Sequence, residues 1–443
     1  MVAKQLQALS IVETAYAAPE VAPAPSSPNY QSYQTYLNAA PSGVNAGYAK
    51  TFPGGAGDKA KVIDIEYSWN TNHEDLSKAR TALIPNGTPV DPLSDTDHGT
   101  AVLGEMVADD NGYGVTGITP KANLGLVNAY NTNGYKIVEA LYTAAFYTQP
   151  GDVILVEQQT LVHPTPDTMA QVPIEWVPAV YDMIKALTDG GRIVVEPAGN
   201  GNQNLDNTAL FGASFPNGKV DSGALIVGAG LNCAGDVLRS RQSDSNYGSR
   251  INLQGPGNCV ATTGYDPLWL TNDINARYTT GFSETSAAAP VVASAAVSLS
   301  SAYRTLNSGA NITPALVRSI LTSTATAQNS TSSGALTGNI GPLPDLAKAL
   351  LKTDTKAPTA PAGVKVVLNS NHKPVVSWSA STDNNKIASY KLYRNGSSYK
   401  TVTGLSYTDT SVTVGKTYKY TLYAVDPSGN KSVVSTAVSI VVK

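Results

Sequence analysis

The sequence predicts an α/β domain with a mostly parallel sheet and helices on both faces, followed by a smaller all-β sandwich. From about Ala60, short apolar runs alternate with segments of helical spacing, which is typical of a parallel sheet built from strand–helix units. From Pro358 onward, alternating strand patterns separated by turn residues replace that pattern. At 443 residues the chain is also too long for one ordinary domain.

The elements of the first domain can be placed from these patterns. Apolar runs predict buried strands over Lys61–Asp64, Leu124–Asn128, Asp152–Val156, Arg192–Val195 and Ala224–Ala229. Helical spacing predicts helices over His98–Ala108, Tyr135–Tyr147, Val177–Asp189, Ala287–Thr305 and Pro314–Ser323.

Composition shifts divide the chain into four parts. Residues 1–41 form a Pro-rich arm, expected to be extended along the main domain or disordered. Residues 42–352 form the α/β domain, 353–357 a linker and 358–443 the sandwich. The arm shows no basic stretch followed by an apolar core, which is the pattern of a secretory signal.

Charge and composition narrow the function classes. Hydrophobic residues make up 42% and charged residues 14%, with a net charge of −3, so we expect neither a nucleic-acid nor a membrane partner. A content of 23 tyrosines and only 30 lysines plus arginines favours an exported protein. Cys233 and Cys259 then either form one disulfide, stabilising by roughly 3 kcal/mol, or remain free buried thiols.

One histidine can be selected as a catalytic base by elimination. The chain has four histidines: His372 lies in the predicted sandwich, His163 in a Pro-rich loop, and His73 in a polar stretch expected to be exposed. His98 alone opens an apolar helix, and Gly99 beside it permits close backbone approach. A serine hydroxyl needs such a base to become a nucleophile, and the base needs a third group to orient it.

A serine and an aspartate complete this set. Ser286 begins a helix of small residues, where the helix dipole favours an oxyanion, although an N-cap serine is a common structural arrangement. Asp64 ends a predicted strand, at the edge where sites form in open α/β sheets. A structural salt bridge is the alternative for Asp64, and Asp75 or Asp97 could compete for its role.

These motifs resemble the subtilisin-like serine peptidases. Val62-Ile63-Asp64, His98-Gly99-Thr100 and Thr285-Ser286-Ala287 occur in the order Asp…His…Ser that is found in subtilisin. The resemblance implies a secreted serine endopeptidase acting on peptides or proteins, expected as a monomer, with Asp64 orienting His98. It further implies that Asn200, in Gly199-Asn200-Gly201, donates to the oxyanion; a turn asparagine is the structural alternative.

The chain departs from the family pattern beside the substrate groove. Glu284 stands where glycine is usual, and Glu157-Gln158-Gln159-Thr160 replaces the usual Ser-Leu-Gly-Gly. We therefore predict Glu157, Gln158, Gly199 and Glu284 as substrate-binding residues. Glu157 together with Glu196 suggests a preference for Lys or Arg in the primary pocket, unless these glutamates face elsewhere and pair structurally.

The second domain resembles a fibronectin type III module, which has an immunoglobulin-like fold. Trp378 would be its core aromatic and Tyr418 its tyrosine-corner residue, while Asn395-Gly396 favours a hairpin turn. No cofactor is expected. Structural calcium is common in the peptidase family, but no motif places a metal site here. The alternative function is a catalytically inactive binding or adhesion protein, which the departure at Glu284 motivates.

Overall fold

The structure is a computed structural model that describes residues 27–265, 268, 272–330 and 332–443. The first 26 residues of the predicted arm lie outside the described residues. The described remainder of the arm packs on the main domain: the ring of Tyr36 is buried, and its hydroxyl donates to the carbonyl of Ala261 at 3.0 Å.

A six-stranded parallel sheet forms the centre of the first domain. Its strands in chain order are β1 Lys61–Glu66, β2 Asn123–Asn128, β3 Val153–Val156, β4 Ile193–Pro197, β5 Leu225–Gly230 and β6 Leu253–Pro256. They lie side by side in the order β6-β5-β4-β3-β1-β2. The first five confirm the predicted strands to within three residues at either end, whereas β6 was not predicted. Because the chain places β2 on one side of β1 and β3 on the other, the order reverses at β1, where such sheets form crevices.

Helices cover both faces of this sheet, as predicted. The longer ones are α1 Asp97–Val107, α2 Ile137–Tyr147, α3 Pro178–Asp189, α4 Glu284–Leu306 and α5 Pro314–Thr324, and short ones span Ala46–Thr51, Thr208–Phe211 and Leu346–Ala349. Val62 packs in the apolar core that contains α4, whereas Ile63 packs in the core that contains α2 and α3. Side chains alternate along a strand, so Asp64 and Glu66 share the face of Val62, toward α1 and α4.

α4 is the most deeply buried helix of this domain. Among the described residues it is the one helix long and apolar enough to cross a membrane, and 94% of its most apolar window is buried inside the protein. It therefore has the burial of a core helix. It begins at Glu284, beside the carboxyl edge of the sheet, and positions Ser286 there.

Two antiparallel strands follow β3 where a Pro-rich loop was expected. Gln159–Thr165 and Thr168–Pro173 form a hairpin, with Gln159 opposite Pro173. Smaller antiparallel pairs join Val260–Thr263 to Tyr278–Phe282 and Tyr130–Asn131 to Gly134–Tyr135. Cys233 and Cys259 form a disulfide, which settles the alternative that the sequence left open.

The C-terminal part consists of two antiparallel sheets, consistent with the predicted β-sandwich. One contains Ala362–Leu368, Pro374–Ser379 and Ser406–Thr408; the other contains Ser389–Arg394, Ser397–Val402, Thr417–Val425 and Val438–Val441. Trp378 lies in the core between them and contacts the ring of Tyr390 edge-on. The hydroxyl of Tyr418 accepts a hydrogen bond from the backbone N–H of Thr413 at 2.9 Å.

Candidate active site

Strand β1 presents two carboxylates side by side at its carboxyl end. Asp64 is fully buried, and its Oδ2 accepts a hydrogen bond from Nε1 of Trp69 at 2.7 Å. Its Oδ1 is buried and has no hydrogen-bond partner. Burial, followed by the charge of Glu66, raises the pKa of Asp64 well above its usual range.

His98 pairs with Glu66 rather than with Asp64. Nδ1 of His98 lies within hydrogen-bonding distance of Oε1 of Glu66. The sequence predicted Asp64 as the acceptor for His98, but in the structure the acceptor is Glu66, two residues later on the same strand. The second oxygen of Glu66 accepts from the backbone N–H of Tyr67 at 2.8 Å and from Nε2 of Gln158 at 3.3 Å. Since an ionised carboxylate only accepts, this pairing holds the proton on Nδ1 and leaves Nε2 as the basic nitrogen.

The local backbone explains why His98 reaches Glu66. His98 lies in the first turn of α1, and a Cβ added at Gly99 would stand 2.7 Å from Cδ1 of Trp69, so only glycine allows this approach. The ring of Phe282 contacts the imidazole edge-on, with centroids 5.6 Å apart. Burial opposes protonation of His98, but the charges of Glu66, Asp64 and Asp95 outweigh it and raise the pKa of His98.

Ser286 and His98 line the same cleft, which has a volume of about 330 Å³. Ser286 lies in the first turn of α4, with the positive end of the helix dipole beside its hydroxyl. No direct hydrogen bond joins Ser286 to His98 in the part of the chain that the structure describes. Such contacts are often long in a free enzyme and shorten when substrate binds.

Asn200 follows β4 and is tied to the residues immediately before Ser286. Its Oδ1 accepts hydrogen bonds from the backbone N–H of Thr285 at 3.1 Å and from the Thr285 hydroxyl at 2.6 Å. This fixes the side-chain amide so that Nδ2 points into the cleft, where it donates to Oε2 of Glu284 at 2.6 Å. The side chain of Asn200, the predicted oxyanion donor, is thus oriented toward the cleft, but its Nδ2 already donates to the carboxylate of Glu284.

Glu284 adopts a backbone conformation that favours glycine. Its φ is +70°, in the left-handed region, where a side chain costs roughly 1–2 kcal/mol. Burial, with the charge of Asp244, raises the pKa of its carboxyl. The glycine expected here from the family pattern would avoid this strain, so the glutamate is retained at an energetic cost.

Glu157 and Gln158 form a polar part of the cleft wall. Both are buried, although both line the cleft. The carboxylate of Glu157 has no hydrogen bond of good geometry; burial and the charges of Glu66 and Asp64 raise its pKa well above the usual range, while the nearby Ser286 hydroxyl lowers it. Gln158 uses Nε2 on Glu66 and accepts from the hydroxyl of Tyr135 at 3.2 Å, so it supports the carboxylate that holds His98.

Three residues lie elsewhere than the sequence suggested. Gly199 is buried under the hairpin, where a Cβ would stand 2.9 Å from Cα of Val172, and it is not among the residues that line the cleft. Glu196 faces away from the cleft, and its Oε2 accepts from the backbone N–H of Glu175 at 3.2 Å. His73 is buried rather than exposed, with Nε2 on the carbonyl of Arg277 at 2.8 Å.

Glu66 is the functional candidate that sequence reasoning missed. The available signal was its spacing, because residues two apart on one strand face the same side. The sequence therefore placed a second carboxylate beside Asp64. What it did not show is that Trp69 would bind Asp64 and leave the longer side chain to meet the histidine.

Comparisons with known proteins agree with this architecture. The sequence model of the subtilase family, peptidase S8, matches residues 58–343. Subtilisin DY of Bacillus licheniformis is 30% identical over 275 residues, which cover 61% of this chain and 85% of that protein. The solved structure of the Aeromonas sobria serine protease with its chaperone shares the fold, with a TM-score of 0.56 at 16% identity, over 92% of this chain and 80% of that one.

A second similarity is of a different kind. A segment of 90 residues is 38% identical to exoglucanase B of Cellulomonas fimi; it covers 20% of this chain but only 8% of that enzyme. The chain therefore spans less than a tenth of the length of that relative. The family match, in contrast, covers more than half of the chain and includes both His98 and Ser286. This chain belongs to the subtilase family.

Proposed function

We propose that the protein hydrolyses peptide bonds through an acyl-enzyme formed on Ser286. The observation that carries this is the cleft itself: Ser286 at the start of α4 and His98 held by a carboxylate through Nδ1 face one cavity at the carboxyl edge of the sheet. This arrangement provides a nucleophile, a base with the correct nitrogen unprotonated, and a group that orients the base.

The proposed reaction follows from these positions. Nε2 of His98 takes the proton of Ser286 as Oγ attacks the scissile carbonyl carbon. The oxygen that becomes negative is stabilised by the Ser286 backbone N–H and by Nδ2 of Asn200, once the latter leaves Glu284. His98 then gives its proton to the departing amine, and a water molecule repeats the sequence to release the acid and restore Ser286.

Within this mechanism, the orienting role is shared by the two carboxylates of β1. Glu66 holds Nδ1 of His98 directly. Asp64, the acid predicted from the family pattern, contributes through its charge to the raised pKa of His98. We therefore propose Glu66 as the positioning residue and Asp64 as its supporting neighbour.

Export and the nature of the second domain belong to the same proposal. We propose a secreted monomer, which the Cys233–Cys259 disulfide supports because disulfides persist in oxidising compartments. We further propose that the sandwich is a fibronectin type III domain. The hydrogen bond from Thr413 to the Tyr418 hydroxyl has the geometry of a tyrosine corner, and the 90-residue similarity has the length of such a module.

Labelling with a fluorophosphonate probe tests the nucleophile. We expect the wild-type chain to be labelled at Ser286 by peptide mapping, and Ser286→Ala to lose both labelling and, by orders of magnitude, peptide hydrolysis. Ser283→Ala, which alters another serine that lines a cavity together with His98 and Ser286, serves as the matched control and should retain labelling. Well-folded wild-type protein that resists the probe would favour the catalytically inactive binding protein.

A further inference from the structure

Three aspartates from separate parts of the chain meet where the peptidase domain joins the sandwich. Asp354 follows the last helical turn of the peptidase domain, Asp383 lies in a sandwich loop, and Asp426 directly follows the strand Thr417–Val425. One carboxylate oxygen of each lies within 4.8 Å of those of the other two. Asp354 and Asp426 are 4% and 2% exposed and Asp383 is half-buried, so two of these three like charges are buried.

Nothing in the described part of the chain neutralises this junction cluster. No lysine, arginine or histidine forms an ion pair with any of its three members there; Lys356, two residues after Asp354, directs Nζ to the hydroxyl of Ser308 at 2.8 Å. Oδ2 of Asp354 and Oδ1 of Asp383 are buried and have no hydrogen-bond partner. The other oxygens of the cluster accept hydrogen bonds only from backbone and asparagine N–H groups, which carry no net charge. Like charges held together with buried oxygens unsatisfied are costly, so the arrangement indicates a missing positive charge.

The donor chemistry favours a hard cation. Calcium takes six to eight oxygen ligands at about 2.3–2.6 Å, so oxygens bound to one ion stand at most roughly 5 Å apart, and the three carboxylate oxygens lie within 4.8 Å of one another. Two residues after Asp426 in the same turn, the hydroxyl of Ser428 is also buried and has no hydrogen-bond partner. Asp426, Ser428 and Asn430 recur at every second position, like the first three ligands of calcium-binding loops.

The loops that carry these groups already bridge the two domains. Nδ2 of Asn384 donates to Oδ1 of Asp354 at 2.9 Å and to the carbonyl of Leu306 at 3.3 Å. Nδ2 of Asn430 donates to the carbonyl of Asp354 at 3.0 Å. An ion at this place would therefore hold both loops of the sandwich against the end of the peptidase domain.

We propose that Asp354, Asp383 and Asp426 bind one calcium ion that locks the sandwich onto the peptidase domain. This proposal is independent of catalysis, because none of its residues lines the active-site cleft.

Calcium titration of the full chain tests the site. The protein carries Ser286→Ala to prevent self-digestion, is stripped with EDTA, and is titrated calorimetrically with calcium chloride. In this background Asp383→Asn should bind one equivalent less than the parent, or bind that equivalent at least 10-fold more weakly. Asp167→Asn, which removes a charge from the exposed end of the hairpin, should match the parent. Equal stoichiometry and affinity in all three proteins would overturn the proposal.

Limited trypsin digestion provides a second readout that needs no junction variant. Lys356 lies in the connection between the domains and offers a cleavage site there. We expect calcium to slow cleavage after Lys356 several-fold relative to EDTA, and magnesium at the same concentration to slow it less. A cleavage rate after Lys356 that is the same in calcium and in EDTA would contradict the proposed lock, even if Asp383→Asn failed to fold.

Discussion

Two groups of buried carboxylates in this molecule have opposite surroundings. Asp64 and Glu66 lie on one strand beneath the cleft, where Trp69, Tyr67, Gln158 and His98 supply hydrogen bonds to them. The junction cluster comes from three distant segments and retains two buried oxygens without partners. The first environment suits holding an imidazole, and the second suits holding an ion. Both groups accept hydrogen bonds from neutral donors, and the difference is that the imidazole of His98 pairs with Glu66, whereas no basic side chain of the described residues pairs with the junction cluster.

The largest effect on activity should come from replacing the two carboxylates of β1 one at a time. Glu66→Gln keeps the side-chain shape but removes the charge and the fixed tautomer of His98, so kcat/KM should fall on the order of 10²–10⁴-fold. Asp64→Asn keeps an acceptor for Trp69 and should cost much less, within about 10-fold. Steady-state kinetics on one peptide substrate measure both, with circular dichroism and thermal unfolding as the check on folding.

The reverse order of these two effects would be equally informative. If Asp64→Asn were the more damaging change, His98 would turn toward Asp64 when substrate binds, and the contact with Glu66 would belong to the free enzyme alone. A crystal structure of a covalent inhibitor complex would then show the Asp64 contact directly.

The pH dependence sharpens the same comparison. The carboxylates of Glu66, Asp64 and Asp95 raise the pKa of His98 even though burial opposes them. Because the base acts only when deprotonated, kcat/KM should fall with decreasing pH at a higher pH than an ordinary imidazole would give. Removing the Glu66 charge lowers the pKa of His98, so the acidic limb of the profile for Glu66→Gln should move to lower pH. An unmoved limb would contradict direct pairing.

A smaller change is expected in specificity. Apart from His98, the charged residues that line the cleft are acidic, namely Glu66, Asp95, Glu157 and Glu284, which supports the predicted preference for lysine or arginine. Burial raises the pKa of Glu157, so its ionised form is favoured only when a lysine side chain binds beside it. Glu157→Gln should then reduce kcat/KM for a lysine substrate about 10-fold relative to a leucine substrate, since the charge-assisted hydrogen bond formed in that complex is lost. Cleavage of a peptide library dominated by large apolar residues in the wild type would refute this preference.

The smallest effect concerns Glu284 and its strained backbone. Glu284→Gly should raise the free energy of unfolding by about 1 kcal/mol, because glycine adopts φ near +70° without penalty. It should also raise kcat a few-fold by freeing Nδ2 of Asn200. Glu284→Ala is the matched control: it frees Asn200 but keeps the strain, so urea unfolding and kinetics together distinguish the two contributions.

The sequence was sufficient to predict local features, but not to predict which of two neighbouring side chains makes a given contact. Periodicity predicted five of the six parallel strands, and His98-Gly99 and the helix of Ser286 were visible as motifs. The preference of His98 for Glu66 depends on side-chain length and on the hydrogen bond from Trp69, which no pattern encodes. Gly199 was misjudged because the hairpin that buries it was interpreted as a loop, and the junction cluster assembles only after both domains fold.

One helix links these two regions as a rigid spacer. α4 carries Ser286 in its first turn, and its last residue, Leu306, accepts a hydrogen bond from Asn384 at the junction. With 23 residues at about 1.5 Å each, it spans roughly 35 Å. A molecule bound by the sandwich near Leu306 would therefore be held at a fixed distance from Ser286. The length of α4 would then set how far from its bound part that molecule is cleaved.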